Sequence, residues 1–346
     1  MPGHAYCRVH VPLGGQGAGP GPGAGVYASD ETLVLLQKIL ETLLELQKMQ
    51  AQGQGMPPQD EEQVRQLIEK MCVFVAKKGE FLKRRMEGEY DVDEWGYDPE
   101  VLDEIMPILR FMYHTYWRVT TTGVENIPDS GRVLLVANHS GVVPWDAAMI
   151  QTAVAEEHPN PRPTRGLHLS LATDLPFIST LLSRMGHVQA MPENAERLLR
   201  GDHLTLVFPE GVKGIGKMYS ERYQLARFGR GGFARVALDT GSPIIPVSVV
   251  GAEEIHPHLH NAKTLASILR IPYVPITPTF PLLGLLGAIP LPTKWYIHFD
   301  KPIPIQDIRC EPMQEPMLVS RITARVRETI QQNIYEILKS RRSIFL

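Results

Sequence analysis

Residues 132–157 read RVLLVANHSGVVPWDAAMIQTAVAEE. An apolar run ends at Ala137, a polar loop carrying Asn138, His139 and Ser140 follows, and Pro144 opens a helical pattern with Asp146 in its first turn. Proline suits the first helical position because its missing N–H would be unpaired there anyway. The stretch therefore reads strand, loop, helix, the unit from which parallel sheets are wound.

The same texture continues downstream. GLHLS (166–170), HVQAM (187–191), LTLVF (204–208), PIIPVSVV (243–250) and WYIHF (295–299) are strand candidates. FISTLLSRM, ENAERLLR and GGFARVALD are helical patterns set between them. This alternation predicts an α/β fold: a largely parallel mixed sheet flanked by helices. Upstream, residues 1–28 form a Gly/Pro-rich tail expected to be disordered. Residues 29–118 form a helical N-terminal region, with helices at 30–50 and 60–86 and an acidic segment at 87–104. That segment carries nine carboxylates and no base, and reads as a solvated linker. The core spans 119–310. A C-terminal helix spans 311–346, with Ile322, Val326, Ile330 and Ile334 at i+4 spacing.

With 346 residues, 43% apolar, the chain can bury a large core. Its net charge of −3 argues against nucleic acid as a partner. Three distant cysteines (Cys7, Cys72, Cys310) offer neither a disulfide framework nor zinc spacing and suit a reducing compartment. The N-terminus lacks a secretory signal, and no stretch reaches the roughly 20 apolar residues needed to span a bilayer. A cytoplasmic protein lying on a membrane surface is expected. The segment FPLLGLLGAIPLP (280–292) and the aromatic helix near Phe111–Trp117 are the candidate contacts, although both could instead pack in the core.

His139 lies where a strand gives way to a loop, the place where open α/β sheets carry their chemistry. An imidazole that takes a proton from an alcohol needs its other nitrogen fixed, and a carboxylate such as Asp146 does that. An ordinary helix cap and a turn hydrogen bond would account for the same two residues. A second block, LTLVFPEGVKG (204–214), also ends an apolar run abruptly, at Phe208-Pro209-Glu210-Gly211. From Gly211 to Arg235 six cations stand against one acid, Glu221, a local bias that suits phosphate groups.

Together these blocks resemble the lysophospholipid acyltransferase superfamily over about residues 119–305. Asn138-His139…Asp146 resembles its first motif, His-x4-Asp preceded by Asn, with six intervening residues here. Phe208–Lys213 is similar to its Phe-Pro-Glu-Gly-Thr-Arg motif, with Lys213 in the arginine position, and Pro243–Val247 to its apolar-proline motif. The second motif is poorly met: Gly186–Met191 keeps the glycine and lacks the arginine. The longer His–Asp loop looks more like the branch that acylates monoacylglycerol and diacylglycerol. The resemblance implies an O-acyltransferase with His139 and Asp146 catalytic and Glu210, Gly211, Lys213 and Arg230 binding substrate. It also implies acyl-CoA or another acyl thioester as co-substrate, a glycerol-based lipid acceptor such as lysophosphatidate, no cofactor and no metal.

Other classes stay open. Gly211–Lys217 fits G-x-x-x-x-G-K, but Met218 stands where a P-loop needs Ser or Thr for Mg²⁺. His256, His258 and His260 alternate as metal ligands do on a strand, although Pro257 favours a polar loop. A non-catalytic lipid-binding or scaffold protein would use the N-terminal helices as a partner surface.

Overall fold

The computed structural model describes residues 79–140, 145–168, 178–261, 275–278, 287, 289–305 and 315–345, together with 65, 66, 69, 73 and 76. The tail at 1–28, the helix expected at 30–50, most of the one at 60–86, most of the apolar segment 280–292, Pro144 and the three cysteines lie outside the described residues.

The sheet is built from β1 (Thr120–Thr122), β2 (Val133–Ala137), β3 (Thr164–His168), β4 (Val188–Gln189), β5 (Leu204–Val207), β6 (Ile244–Val250) and β9 (Tyr296–Phe299). A small separate ribbon pairs β7 (His260–Asn261) with β8 (Pro275–Ile276). The seven strands lie in the order β1-β9-β6-β2-β5-β3-β4. All neighbours are parallel except β6 and β9. Burial on both faces explains why β2 and β6 read as unbroken apolar runs: every residue of each is buried.

The helices are α1 (Pro99–Arg110), α2 (Trp145–Glu157), α3 (Ile178–Arg184), α4 (Pro192–Arg200), α5 (Val212–Ile215), α6 (Gly232–Thr240) and α7 (Glu315–Ser340). One core cluster joins α1 and α2 to one face of the sheet, and a second joins α6 and α7 to the other. Ile322, Val326, Ile330 and Ile334 of α7 are all buried, as their i+4 spacing predicts. Helix α1 runs through Pro107 and continues as a π-helix, Phe111–Tyr116. Its Tyr113 and the following Trp117 are fully buried, and Trp117 stacks on Trp295, so one side of this segment belongs to the core while Phe111, His114 and Thr115 stay exposed.

The acidic segment keeps most of its carboxylates in solvent but is anchored at three points. Asp98 caps α1 and pairs with Arg85, Asp93 pairs with Arg165, and Glu94 pairs with Arg197. Arg165 and Arg197 sit on β3 and α4, so these carboxylates clamp the N-terminal region onto the sheet edge.

Candidate active site

Strands β2 and β5 are parallel neighbours, with Val136 opposite Val207. Both strands leave the sheet at its carboxyl end and side by side, so Asn138-His139 meets Phe208-Pro209-Glu210 although some 70 residues separate them. The junction is secured by Asn138. Its amide donates to Val249 O (2.9 Å) and accepts from Val249 N (2.7 Å). A side chain thus continues the β2–β6 ladder and lets the backbone turn away.

His139 follows at the start of that turn. Its Nδ1 lies 2.7 Å from Asp146 Oδ2. A carboxylate only accepts, so Nδ1 carries the proton and Nε2 is left with its lone pair. Asp146 is fully buried in the first turn of α2. Its Oδ2 also accepts from Ser140 N (2.9 Å) and its Oδ1 from Ala147 N (2.9 Å). The helix N-terminus favours the negative charge there. The imidazole stacks on Phe208, with ring centres 4.4 Å apart. A tenth of the His139 side-chain surface stays exposed, so solvent or substrate reaches this group along a narrow front.

Glu210 and Gly211 serve the turn that faces His139. The Glu210 carboxylate is buried and fully engaged: Oε1 accepts from His139 N (3.0 Å), and Oε2 from Ala226 N (2.6 Å) and from Lys217 Nζ at 3.3 Å. Gly211 holds φ +55°, in the left-handed region that favours glycine. Gly214 of α5 lies against the histidine; a Cβ there would sit 2.9 Å from His139 Cβ and 2.8 Å from Glu210 Cβ.

The cationic run divides in two. Lys217 is not part of an open phosphate patch. It is buried between Glu210 and Glu253, the latter at 2.9 Å, while Glu253 Oε2 accepts from Tyr223 N (2.9 Å). Burial alone would lower the Lys217 ammonium, but Glu253 and Glu210 hold it above its ordinary value. Burial pushes the Glu253 carboxyl up, against the pull of Lys217. This engagement also removes the lysine that the G-x-x-x-x-G-K reading needs for a nucleotide. Arg235 pairs with Glu315, and Arg222 bonds Tyr219 O. Lys213, Arg227 and Arg230 are exposed. Lys213 sits on α5 beside the histidine, and the Arg227–Arg230 loop follows Ala226, which is bonded to Glu210.

Sequence reading missed Glu253. Nothing near it resembles a motif, and its relation to Lys217 appears only in three dimensions. Among the described residues, no group of three His, Cys, Asp or Glu side chains is placed to hold a metal ion. His256 and His258 are buried after β6, and the side chain of His260 lies outside the described residues.

The arrangement can take a proton from a hydroxyl brought to Nε2 and hold the resulting imidazolium against a buried carboxylate. Comparison with known proteins points to acyltransferases. A family model described as Acyltransferase matches residues 118–250. An uncharacterized protein of Mycobacterium tuberculosis is 48% identical over 276 residues, covering 80% of this chain and 77% of its own. One from Mycobacterium leprae is 45% identical over 279 residues, covering 80% and 76%. The human protein called DGAT1/2-independent enzyme synthesizing storage lipids is 28% identical over 163 residues, 46% of this chain and 49% of that one. Among solved structures, the 1-acyl-sn-glycerophosphate (LPA) acyltransferase PlsC of Thermotoga maritima is 19% identical, with a TM-score of 0.48, and covers 70% of this chain and 81% of that one.

Proposed function

Because the chain belongs to the lysophospholipid acyltransferase superfamily, we propose that it moves a fatty acyl group from acyl-CoA, or another acyl thioester, to a hydroxyl of a glycerol-based lipid such as lysophosphatidate. The observation that carries this reading is the 2.7 Å contact from His139 Nδ1 to Asp146, which leaves Nε2 as a base beside the Phe-Pro-Glu-Gly turn. An alcohol is a poor nucleophile at neutral pH. Nε2 removes its proton as the oxygen attacks the thioester carbonyl carbon, and Asp146 stabilises the imidazolium. The tetrahedral intermediate then collapses. The carbonyl re-forms, the C–S bond breaks, and the imidazolium returns its proton to the departing thiolate. Glu210 contributes by fixing the backbone of the base.

Lys213, with Arg227 and Arg230, supplies charge for phosphate, either on the acceptor or on coenzyme A. A second reading takes a neutral monoacylglycerol or diacylglycerol as acceptor. It is supported by the engagement of Lys217, which takes one cation out of the patch, and by the human relative named for storage-lipid synthesis. The protein works from a membrane surface in either case. No helix among the described residues is long and apolar enough to cross a membrane. An exposed apolar edge supports peripheral contact: Phe111 touches Tyr116, whose hydroxyl bonds Pro290 O beside exposed Ile289, and Arg118 bonds the backbone of exposed Phe345.

The test is mass spectrometry of products after incubating the protein on liposomes with acyl-CoA and a panel of lysophosphatidate, other lysolipids, monoacylglycerol and diacylglycerol. A new acyl ester on one acceptor is expected. No ester on any acceptor, with every thioester donor tried, refutes acyl transfer. Lys213→Ala and Arg230→Ala separate the readings: a KM rise confined to lysophosphatidate assigns the cations to the acceptor phosphate. An equal loss on neutral and charged acceptors, with weaker acyl-CoA binding, assigns them to coenzyme A.

A further inference from the structure

Ser140 takes no part in the scheme above, yet its side chain is the least explained group at the site. The residue is 1% exposed, and its Oγ is buried with no hydrogen-bond partner among the described residues. The polar groups around it are engaged. His139 Nδ1 and Ser140 N both donate to Asp146 Oδ2, His139 N donates to Glu210, and both ends of the Asn138 amide meet Val249. A buried hydroxyl left unpaired costs about 1–3 kcal/mol, so alanine would serve the fold better. Thr164 and Thr205 also carry unpaired buried hydroxyls, but they lie in β3 and β5, where a β-branched side chain fits the pleat. No such account covers a serine in a loop.

Resting on the acyl-transfer reading, we propose that the Ser140 hydroxyl is a catalytic donor to the carbonyl oxygen of the thioester. One carboxylate oxygen, Asp146 Oδ2, fixes both the imidazole ring and the Ser140 backbone N–H, so the residue that carries the hydroxyl is anchored to the same group as the base. When the acceptor oxygen attacks and Nε2 takes its proton, the C=O electron pair moves onto the carbonyl oxygen. That oxyanion needs a donor already in place. A hydrogen bond to a charged oxygen is roughly twice as strong as one to a neutral carbonyl, so this contact strengthens as the transition state forms. No bond to Ser140 is made or broken. The pair returns to C=O as the C–S bond breaks, and the hydroxyl keeps its proton throughout.

Ser140→Ala, assayed with acyl-CoA and the acceptor identified by the panel, reads the role directly. Removing one such donor typically lowers kcat by about 10²-fold. KM for both substrates should stay within about twofold, the pattern of an interaction made only in the transition state. Tm should hold or rise, because the change deletes an unpaired buried hydroxyl. Ser140→Cys, similar in shape and a poor donor, should fall between. Unchanged kcat overturns the proposal. So does a rise in KM with kcat intact, a loss of activity that tracks a fall in Tm, or an acyl group found on Ser140 in the quenched enzyme. A wild-type protein inactive on every donor and acceptor instead refutes the acyl-transfer reading, and the Ser140 role falls with it.

Discussion

His139 and Asp146 were legible from the sequence because they lie seven positions apart, close enough for a strand-loop-helix turn to bring them together. Their partners were less so. Glu210 stands in a recognisable motif, but its role shows only when its carboxylate meets the backbone N–H of His139, across two strands. His139→Ala removes the base, and turnover should fall by about 10²–10⁴ with the melting temperature little changed. Asp146→Asn should also slow turnover, since it removes the charge opposite the imidazolium and can reverse the ring's hydrogen bond. Steady-state rates alongside thermal melts check both, and a folded His139→Ala enzyme at full rate would remove the general base from the mechanism.

At the scale of elements, β2 and β6 announced themselves as apolar runs because burial on both faces leaves little room for polar residues. Strand β1 did not: Thr120–Thr122 has no apolar residue and is held in place by β9. The anchors of the acidic segment and the engagement of Lys217 were not legible for a related reason. Charge invites the assumption of solvent, whereas Asp98, Glu210 and Glu253 are buried and Lys217 nearly so, each in an ion pair. The Glu210–Lys217–Glu253 bridge ties the turn after β5 to the 3₁₀ turn after β6. Lys217→Met leaves two buried carboxylates facing each other without a cation. Stability should drop by about 3–5 kcal/mol in denaturant unfolding. Adding Glu253→Gln to that variant should restore part of the loss, because one uncompensated charge is then gone. Additive losses from the two changes would show that the bridge is not an energetic unit.

Across the whole molecule, pH acts through His187. The ring is buried against Gly166, where a Cβ would lie 2.3 Å from its Nδ1. Burial first, then His168 and Arg165, lower its pKa to about 4. The folded state therefore holds it neutral at pH values where the unfolded chain has begun to protonate. Its contribution is complete above about pH 6.5 and is lost as pH falls toward 4, by up to about 3 kcal/mol. Urea unfolding between pH 7 and 4 should show this decline, with a shallower one for His187→Phe if that variant folds; parallel slopes would exonerate the histidine. The fold class was readable from local pattern, but strand order was not, because it is decided by pairings between distant segments. One of these has a consequence for biosynthesis. Thr120 pairs with Tyr296, so β1 and the tryptophan stack of Trp117 on Trp295 wait for the far end of the sheet to be translated. At ordinary elongation rates that delay is roughly 10–35 s. Throughout it, the nascent chain carries an unsealed sheet edge and an uncovered indole.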